Sequence, residues 1–310
     1  MATITKLKAE VINNNLPILG SDGKLYNYYT GMYVNRMSDF EHTLTVGELN
    51  AINAFIDDGI NNEWIEMVRY LMPFLGTRAN PLTGIIPLID NIANYEIAEE
   101  SVDESAFTYS SSGRIVACGN PLSNVVKIKL PFSSGDFPDK DFSPFVNFNY
   151  TADMIAGLVS QDVSGMVGVF DYNESTLGAA LRWRKNNKRL ELVRRASVGD
   201  SIVVTNILGT TKESIAQGNV FYTVYHDSDE NPHFKRFVAT KGMTAPDSID
   251  VRGEVTNTDF IEGNYILGYS QDKMIVQFNI MAVLNPNLAN KATLEAFSKA
   301  VFNLTTALGR

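Results

Sequence analysis

The stretch VVKIKLPF, residues 125–132, decides the fold class because its side chains alternate between apolar and polar. Val126, Ile128 and Leu130 fall on one side, and Lys127 and Lys129 fall on the other. A period of two is typical of a β-strand with one buried face. Similar runs, divided by Gly, Asn, Asp and Ser turns, occur at residues 107–110, 114–118, 145–150, 166–172, 177–184, 189–195, 201–208, 220–227, 233–240 and 274–281. Since no strand–helix–strand alternation accompanies them, the sequence predicts an antiparallel sandwich or jelly roll.

The stretch LTVGELNAINAFIDDGINNEWIEMVRYLMPFLG, residues 44–76, interrupts this β pattern and predicts two short helices. Thr45 and Glu48 have the spacing of a capping box at the start of the first helix. Ile52, Phe55 and Ile56 then share one helical face. The second helix is expected to begin near residue 62 and to end by Gly76, with these apolar residues: Trp64, Ile65, Val68, Leu71, Met72 and Leu75.

The two ends of the chain differ from its β-rich centre. Residues 1–40 are rich in Asn, Gly and Tyr and have a turn at residues 21–23, so we expect an extended arm that packs on its own domain or on another chain. Residues 290–308 predict a helix whose stripe carries Leu294, Phe297, Val301 and Leu304. The sequence therefore divides into an arm (1–40), a helical pair (41–78) and a β-sandwich closed by a helix (79–310).

Composition excludes several classes of function. The net charge is −9, whereas a general nucleic-acid-binding protein needs a basic surface. The one cysteine, Cys118, permits neither an intrachain disulfide nor a metal site built on several thiolates. The first residues lack the apolar core of a signal peptide, and no apolar run approaches the roughly 20 residues that span a bilayer. We expect a protein that is made in a cytoplasm and does not insert into membranes.

The loop HDSDENPH, residues 226–233, contains the densest group of possible ligands. Asp227 and Asp229 carry the oxygen atoms that Ca²⁺ prefers, but the loop lacks the Gly and the terminal Glu of an EF-hand. The sequence therefore predicts a polar hairpin loop, with no metal and no cofactor. The loop candidates for ligand binding are Trp183, Tyr225, His226, Asp227 and Asp229.

The only basic cluster is RWRKNNKRLELVRR, residues 182–195. An aromatic residue among arginines is one pattern of single-strand nucleic-acid binding. Alternation instead places Leu181 and Trp183 on one face of a strand and Arg182 and Arg184 on the other, followed by a turn. In a chain of net charge −9 we expect this basic face to meet an acidic neighbouring subunit or to stay in water, and we expect no nucleic-acid partner.

The sequence contains no clear pattern of catalytic residues. Glycoside hydrolases need two carboxylates that flank a sugar, but the closest acidic groups, Asp227–Glu230 and the pair Asp171 and Glu174, fall at predicted turns. Cys118 and the three histidines form no recognisable nucleophilic arrangement, and no phosphate-binding or nucleophile-elbow motif occurs. The sequence predicts no catalytic residue.

Three stretches bracket the β-rich part of the chain. The first is Leu44-Thr45 with Glu48 and the following AINAF, residues 51–55. The second is Trp64-Ile65 leading to YLMPFLG, residues 70–76, and the third is the ending LEAF at residues 294–297 through TTALGR at residues 305–310. In this order they resemble a family of concanavalin A-like (laminin G-like) sandwich proteins among the structural proteins of tailed bacteriophages. The second stretch is similar to that family's YPFVGG stretch, and the third is similar to its TLGR close.

This resemblance implies a non-enzymatic virion protein whose arm and helical pair attach a jelly-roll sandwich to the particle. The positions that it implies are a head fibre or capsid decoration, a collar or tail attachment, and a fibre tip. It also implies that the partners are other virion proteins and that the chain forms homo-oligomers, with trimers favoured by analogy. A further implication is weak multivalent adhesion to cell-surface glycans. The alternatives are a glycan-degrading enzyme and a lectin on the same fold.

Overall fold

A computed structural model describes residues 17–76, 83–84, 86–91, 285 and 288–310, together with the strands between residues 107 and 284. The described part of the chain has a mainly β fold with three α-helices. Side chains are described for residues 17–76, 83–84, 86–91, 279–285, 288–290 and 292–310.

The described part begins with a small hairpin and a helix, where an extended arm was expected. β1 (Ile18–Leu19) pairs with β2 (Leu25–Tyr26), and α1 covers Tyr28–Asp39. The Asn27 side chain caps α1 by accepting a hydrogen bond of 2.9 Å from the Thr30 N–H. The extended conformation predicted for residues 1–40 is therefore wrong for residues 28–39, because a capped amphipathic helix buries Tyr29, Tyr33 and Met37 in the core.

The first helix of the predicted pair is confirmed. α2 covers Val46–Asn61 and begins at the predicted capping box. The Thr45 hydroxyl accepts from the Glu48 N–H at 3.2 Å, and the Glu48 carboxylate accepts from the Thr45 N–H at 2.7 Å. Gly59 lies inside the helix and does not end it, since the last helical residue is Asn61.

The prediction of a second helix in this pair is wrong. After a 3-10 turn at Ile65–Met67 the chain enters β3 (Val68–Met72). This segment is largely buried on both faces because it is an interior strand of a sheet, with β-sheet neighbours at both edges, and its Val68 and Leu71 belong to the same cluster as the helices. A continuous apolar run of this length does not distinguish a buried strand from a buried helix.

The remaining strands form two antiparallel sheets. β3 and the short β4 (Ile89–Asp90) belong to a nine-stranded sheet in the order β15-β14-β13-β8-β17-β3-β4, with β6 on β17 and β5 on β6. The six-stranded sheet has the order β12-β11-β10-β9-β16-β7. The bounds are β5 Phe107–Tyr109, β6 Ile115–Gly119, β7 Val126–Lys129, β8 Ser143–Asn149, β9 Ser164–Asp171, β10 Thr176–Arg184, β11 Arg189–Arg194, β12 Val203–Thr211, β13 Asn219–His226, β14 Phe234–Thr240, β15 Asp247–Ser248, β16 Asn264–Ser270 and β17 Met274–Leu284.

All pairings among the described strands are antiparallel, and β6 of the larger sheet approaches β16 of the smaller one. The predicted antiparallel class is confirmed, and each strand predicted between residues 107 and 281 has an observed counterpart. β16 was not predicted, although it occupies the interior of the six-stranded sheet.

The core lies between the helices and the nine-stranded sheet. The predicted terminal helix is confirmed as α3 (Lys291–Ala307), and its four stripe residues are buried. α3 packs against α2, and both lie over β17, whose Ile280, Ala282 and Leu284 join their hydrophobic cluster. The alternate residues Met281 and Val283 are also fully buried, so β17 is covered on both faces. Because β3 pairs with β17, the sequence division at residue 78 does not separate the helices from the sheet.

Candidate functional site

Trp183, the aromatic candidate for ligand binding, lies near the end of β10 in the six-stranded sheet. It is opposite Leu190 on β11 and Ser164 on β9. Directly opposite residues of an antiparallel pair share a face of the sheet. Trp183 therefore shares a face with Leu190.

The remaining candidates belong to the other sheet. Tyr225 and His226 are the last two residues of β13, and His226 is opposite Phe234 at the start of β14. Asp227 and Asp229 lie outside the described residues, in the connection between these strands. The predicted hairpin is confirmed, whereas the ligand role of its loop stays a prediction.

Strand register fixes which end of the sheets each candidate occupies. β9 begins at Ser164, which is opposite both Trp183 and Ser270, the last residue of β16. β17 starts at Met274, only a short link after Ser270. We call this the arginine end, after the hairpin between Arg184 and Arg189 that lies there.

The opposite end of the sheets is where β17 finishes and β3 starts. Leu284 pairs there with Val68, directly after α2 and the 3-10 turn, so we call this the helix end. β8 is antiparallel to β17, and β13 is antiparallel to β8, so β13 runs to the helix end. Trp183 and His226 consequently lie at opposite ends, and the five predicted ligand residues do not form one site.

The arginine end carries a basic face. Arg182 is opposite Glu191, and Arg184 is opposite Arg189, so all four residues share one face of the sheet. The other face of the same hairpin carries Leu181, Trp183, Leu190 and Leu192.

The helix end carries acids. Asp57 and Asp58 lie in the last turn of α2, where the helix dipole favours cations, and that turn contains no basic residue. Glu63 is exposed and has φ 59, a left-handed conformation that a non-glycine residue adopts at a cost. Glu66 is also exposed. The acids of the helix end therefore lie together in the described part of the chain, whereas the face at the arginine end combines three arginines with Glu191.

The stretches that carry the family resemblance meet in one packed junction. Trp64 is fully buried, with its ring 4.8 Å from that of Phe55 and 4.9 Å from that of Phe297. Its Nε1–H donates to Asp58 Oδ1 at 2.8 Å, so the polar edge of the indole is paired. Its six-membered ring fills the space above Gly59, where an added Cβ would lie 2.8 Å from the ring. α2, the 3-10 turn and α3 are joined at this one side chain.

Arg310 joins the same stretches beyond the C-terminal end of α3. Its buried guanidinium donates from Nη1 to Pro73 O at 2.7 Å and to Asn279 O at 3.3 Å, and from Nη2 to Phe74 O at 3.0 Å. Phe74 is fully buried with φ 47, in the left-handed region. The sequence analysis named Arg310 only as part of the C-terminal stretch TTALGR. In the structure its guanidinium holds the backbone that follows β3 through these hydrogen bonds, and we call this arrangement the Arg310 clamp.

The β1–β2 hairpin presents an exposed apolar pair. Leu19 and Leu25 are opposite each other and are 62% and 69% exposed. The Tyr26 hydroxyl donates to Asp22 at 2.6 Å, which lowers the pKa of Asp22. Burial, followed by this hydrogen bond, raises the pKa of Tyr26 to about 12. The sequence analysis did not single out the pair, although the two leucines are spaced symmetrically about Asp22 in the predicted turn.

α1 is fixed to the rest of the chain by polar contacts. Arg36 Nη1 donates to Pro87 O at 2.8 Å, and its Nη2 lies 3.9 Å from the carboxylate of buried Asp90. The Tyr29 hydroxyl donates to Asn91 Oδ1 at 3.2 Å. Burial raises the pKa of Tyr29. These contacts reach β4 and the residues beside it, so α1 belongs to the folded unit.

A substitution at Gly31 tests this docking. A Cβ at this position in α1 would collide with Ile18 Cγ1 of the hairpin. We expect Gly31→Ala to displace the hairpin and to increase proteolysis near residues 18–26, and we expect the added Ile18→Ala to restore protection. Limited proteolysis with mass spectrometry measures both.

Gly47→Ala is the matched control. A Cβ there meets only Thr45 Oγ1, at 4.0 Å, and the position is exposed in α2. It should leave the protease pattern unchanged and raise stability by about 1 kcal/mol. Equal protection of the Gly31→Ala variant and the parent chain would contradict the docked hairpin.

Only some of the acidic and metal-binding candidates lie in the described part of the chain. Among the residues searched, no group of three or more His, Cys, Asp or Glu is placed to hold a metal ion. Asp171 is the last residue of β9, and Glu174 lies outside the described residues. Within the same limits, no helix is both long and apolar enough to cross a membrane.

Comparison with known proteins gives distant structural similarity. No protein-family model and no curated protein matches the sequence. Among solved structures, the chain is similar to the binding domain of botulinum neurotoxin DC in complex with SialylT, with TM-score 0.41 and 10% identity over 63% of this chain and 45% of that one. It therefore spans less than half of that structure.

Two further similarities are to shorter proteins. The VIP36 exoplasmic/lumenal domain in a Ca²⁺/Man2-bound form has TM-score 0.35 and 9% identity, over 58% of this chain and 78% of that one. The alginate lyase vAL-1 from Chlorella virus has TM-score 0.33 and 8% identity, over 58% of this chain and 88% of that one. At these scores the similarities carry no conclusion about what this chain binds or does.

Proposed function

We propose that this chain is a structural component of a tailed-phage particle that acts by binding and not by catalysis. The proposal rests on the three stretches that resemble such proteins. Although more than 200 residues separate the first from the last, they pack together through Trp64 and Arg310. A packed junction supports the resemblance better than three unconnected motifs would. The finer assignment to the concanavalin A-like jelly rolls is part of this proposal.

In this proposal, the attachment role that the sequence predicted for residues 1–40 is assigned to fewer residues. Residues 17–40 fold onto their own chain, so they do not form an arm that reaches a partner. Attachment is assigned to residues 1–16 together with the exposed pair Leu19 and Leu25. Exposed apolar side chains next to each other favour a protein contact.

Glycan adhesion is the binding activity that we propose for the particle-bound protein. Weak sites repeated on a homo-oligomer, with a trimer as the favoured state, gain avidity without new contacts. The candidates are Trp183 at the arginine end and the His226 loop at the helix end, which the register keeps apart as two separate sites. The alternatives remain a glycan-degrading enzyme and a lectin that is unrelated to phage.

Quantitative mass spectrometry of purified particles tests the particle role. Particles from lysates of cells that produce the protein should contain it at a fixed ratio to the major capsid protein after density-gradient purification. Absence from the particles would contradict the proposal. Release of reducing sugar from host cell-wall glycans by the purified chain would favour the enzyme alternative, and binding of the chain to host cells without such release would favour adhesion.

A further inference from the structure

β2 presents an open strand edge beside the exposed leucine pair. Within the described residues, β1 and β2 form a sheet of two strands, so β2 has a strand neighbour on one edge only. The Gly20 N–H donates to the Lys24 carbonyl oxygen at 2.8 Å. Because hydrogen-bonded and non-hydrogen-bonded pairs alternate along an antiparallel ladder, Leu19 and Leu25 form a non-hydrogen-bonded pair. The N–H and C=O of Leu25 therefore point away from β1, along the open edge.

α1 contacts the hairpin on its other edge, that of β1. The Asn35 side chain donates to Leu19 O at 3.5 Å, and Ile18 occupies the space where a Cβ on Gly31 would lie. On the β2 edge, Leu25 is 69% exposed and the Lys24 side chain is 65% exposed. An exposed strand edge with apolar side chains is a template for pairing with another chain.

We propose that β2 pairs with β2 of a second copy, antiparallel and about a two-fold axis at Leu25. The outward N–H and C=O of each Leu25 then bond with those of the other, which joins the two hairpins into one sheet of four strands. Such a contact is isologous, so the same residues serve on both sides. This inference rests on the homo-oligomer of the proposed function and names a second copy as the partner of the exposed leucine pair.

The side chains of β2 are self-complementary in this register. Leu25 is opposite Leu25 of the second copy, so Leu19 and Leu25 of both copies form one apolar row across the four strands. Lys24 is opposite Tyr26 of the second copy. Within one chain the Tyr26 hydroxyl donates to Asp22 at 2.6 Å, and Lys24 Nζ lies 3.7 Å from the same carboxylate. The two-fold axis therefore brings each Lys24 towards the Asp22 carboxylate of the other copy, and opposite charges meet twice.

A second copy fits this edge better than a lipid surface does. Another strand offers an acceptor to the Leu25 N–H and a donor to its C=O, whereas an apolar lipid phase would bury both groups without partners. The edge is short, so the contact is small, and we expect a weak and reversible dimer that gains avidity from repetition in a particle. A two-fold contact joins copies in pairs, so a trimer requires a further contact.

Opposite charges placed at residue 25 test the contact in the full chain. Sedimentation velocity over a series of protein concentrations should show a monomer–dimer equilibrium for the parent chain. Leu25→Lys and Leu25→Glu should each raise the dimer Kd by about tenfold or more, because a two-fold axis sets each new charge opposite itself. A mixture of the two variants should recover dimers, since Lys then faces Glu.

Val46→Lys and Val46→Glu are the matched controls. Val46 is 69% exposed, as Leu25 is, but it lies in the first turn of α2 and not in the hairpin. Both control variants should dimerise as the parent chain does, whether alone or mixed.

Hydrogen exchange gives a second readout that needs no variant. The Leu25 amide points to the open edge, so it should exchange more slowly at high protein concentration, where dimers form, than at low concentration. The Tyr26 amide belongs to the hydrogen-bonded pair with Ile18 inside the hairpin, so its exchange should not depend on concentration. This readout decides the question if the charged variants do not fold.

Three results would overturn the inference: a parent chain that stays monomeric at every concentration, unchanged dimerisation of either Leu25 variant, or no recovery in their mixture. A monomeric parent chain whose Leu25→Lys variant is lost from particles would assign the edge to another virion protein instead. The two proposals fail separately. A monomeric chain that is present in particles contradicts only this contact, and a dimerising chain that is absent from particles contradicts only the particle role.

Discussion

Replacing Trp64 with alanine is expected to lower the free energy of unfolding by about 3–5 kcal/mol. The side chain is fully buried and contacts the rings of Phe55 and Phe297, so its loss leaves a cavity between α2 and α3. It also leaves the half-buried carboxylate of Asp58 without the indole N–H that donates to it at 2.8 Å. Urea unfolding followed by far-UV circular dichroism measures the change.

Trp64→Phe separates packing from the hydrogen bond. It keeps an aromatic ring beside Phe55 and Phe297 but lacks the donor to Asp58, so its loss of stability should be smaller than that of Trp64→Ala. Gly59→Ala is an independent check, because an added Cβ would lie 2.8 Å from the Trp64 ring. It should destabilise the parent chain more than the Trp64→Ala variant. Equal effects in both backgrounds would contradict the packing described for Trp64.

The sequence predicted most of the strands but not their arrangement. The alternation of apolar and polar residues identified the strands on either side of residues 185–188 and of residues 227–233. In the structure both pairs of strands are hairpins. The position of each hairpin depends on pairing with strands that are distant in the chain. The β10–β11 hairpin is positioned by β9, which pairs with β16, and the β13–β14 hairpin is positioned by β8, which pairs with β17. For this reason Trp183 and His226 looked like members of one candidate set but lie at opposite ends of the sheets.

Residues 28–39 show what could have been predicted from the chain alone. Asn27 is a favoured N-cap residue, and Tyr29, Tyr33 and Met37 recur at a spacing of four. Gly31 and several residues of low helix propensity masked this pattern. Tertiary contacts decide the outcome, since Gly31 lets Ile18 approach α1 and Arg36 reaches Pro87 and Asp90.

The stretch after α2 is the reverse case, in which a helical pattern forms a strand. The apolar residues from Trp64 to Leu75 satisfy a helical stripe, but they also satisfy a strand that is buried on both faces. Leu71 and Met72 pair with Ala282 and Met281 of β17, which lie more than 200 residues away in the chain. Nothing in the local sequence identifies that partner, so the helix prediction failed where the pairing is long-range.

Arg310→Ala is expected to cost about 3 kcal/mol, because a charged hydrogen-bond donor contributes roughly 1.5–3 kcal/mol and its buried acceptors remain unpaired. The guanidinium donates to the carbonyl oxygens of Pro73, Phe74 and Asn279. Phe74 has φ 47, a conformation that a bulky residue adopts only where its surroundings hold it. Loss of the clamp should therefore free the segment after β3 as well as α3.

Hydrogen exchange distinguishes loss of this clamp from loss of charge. Amides of β3 and of the end of α3 should exchange faster in Arg310→Ala, and Arg310→Lys should recover only part of the protection because a point charge lacks the planar fork of donors. Lys299→Ala removes one positive charge from an exposed position of α3 and should leave exchange unchanged. Faster exchange confined to the residues next to Arg310 would contradict the clamp, because its acceptors lie on β17 and in the segment after β3. A clamp of this kind gives a physical reason for an arginine at the position that resembles the family's close: it ties the chain that follows α3 to β17 and to the segment after β3.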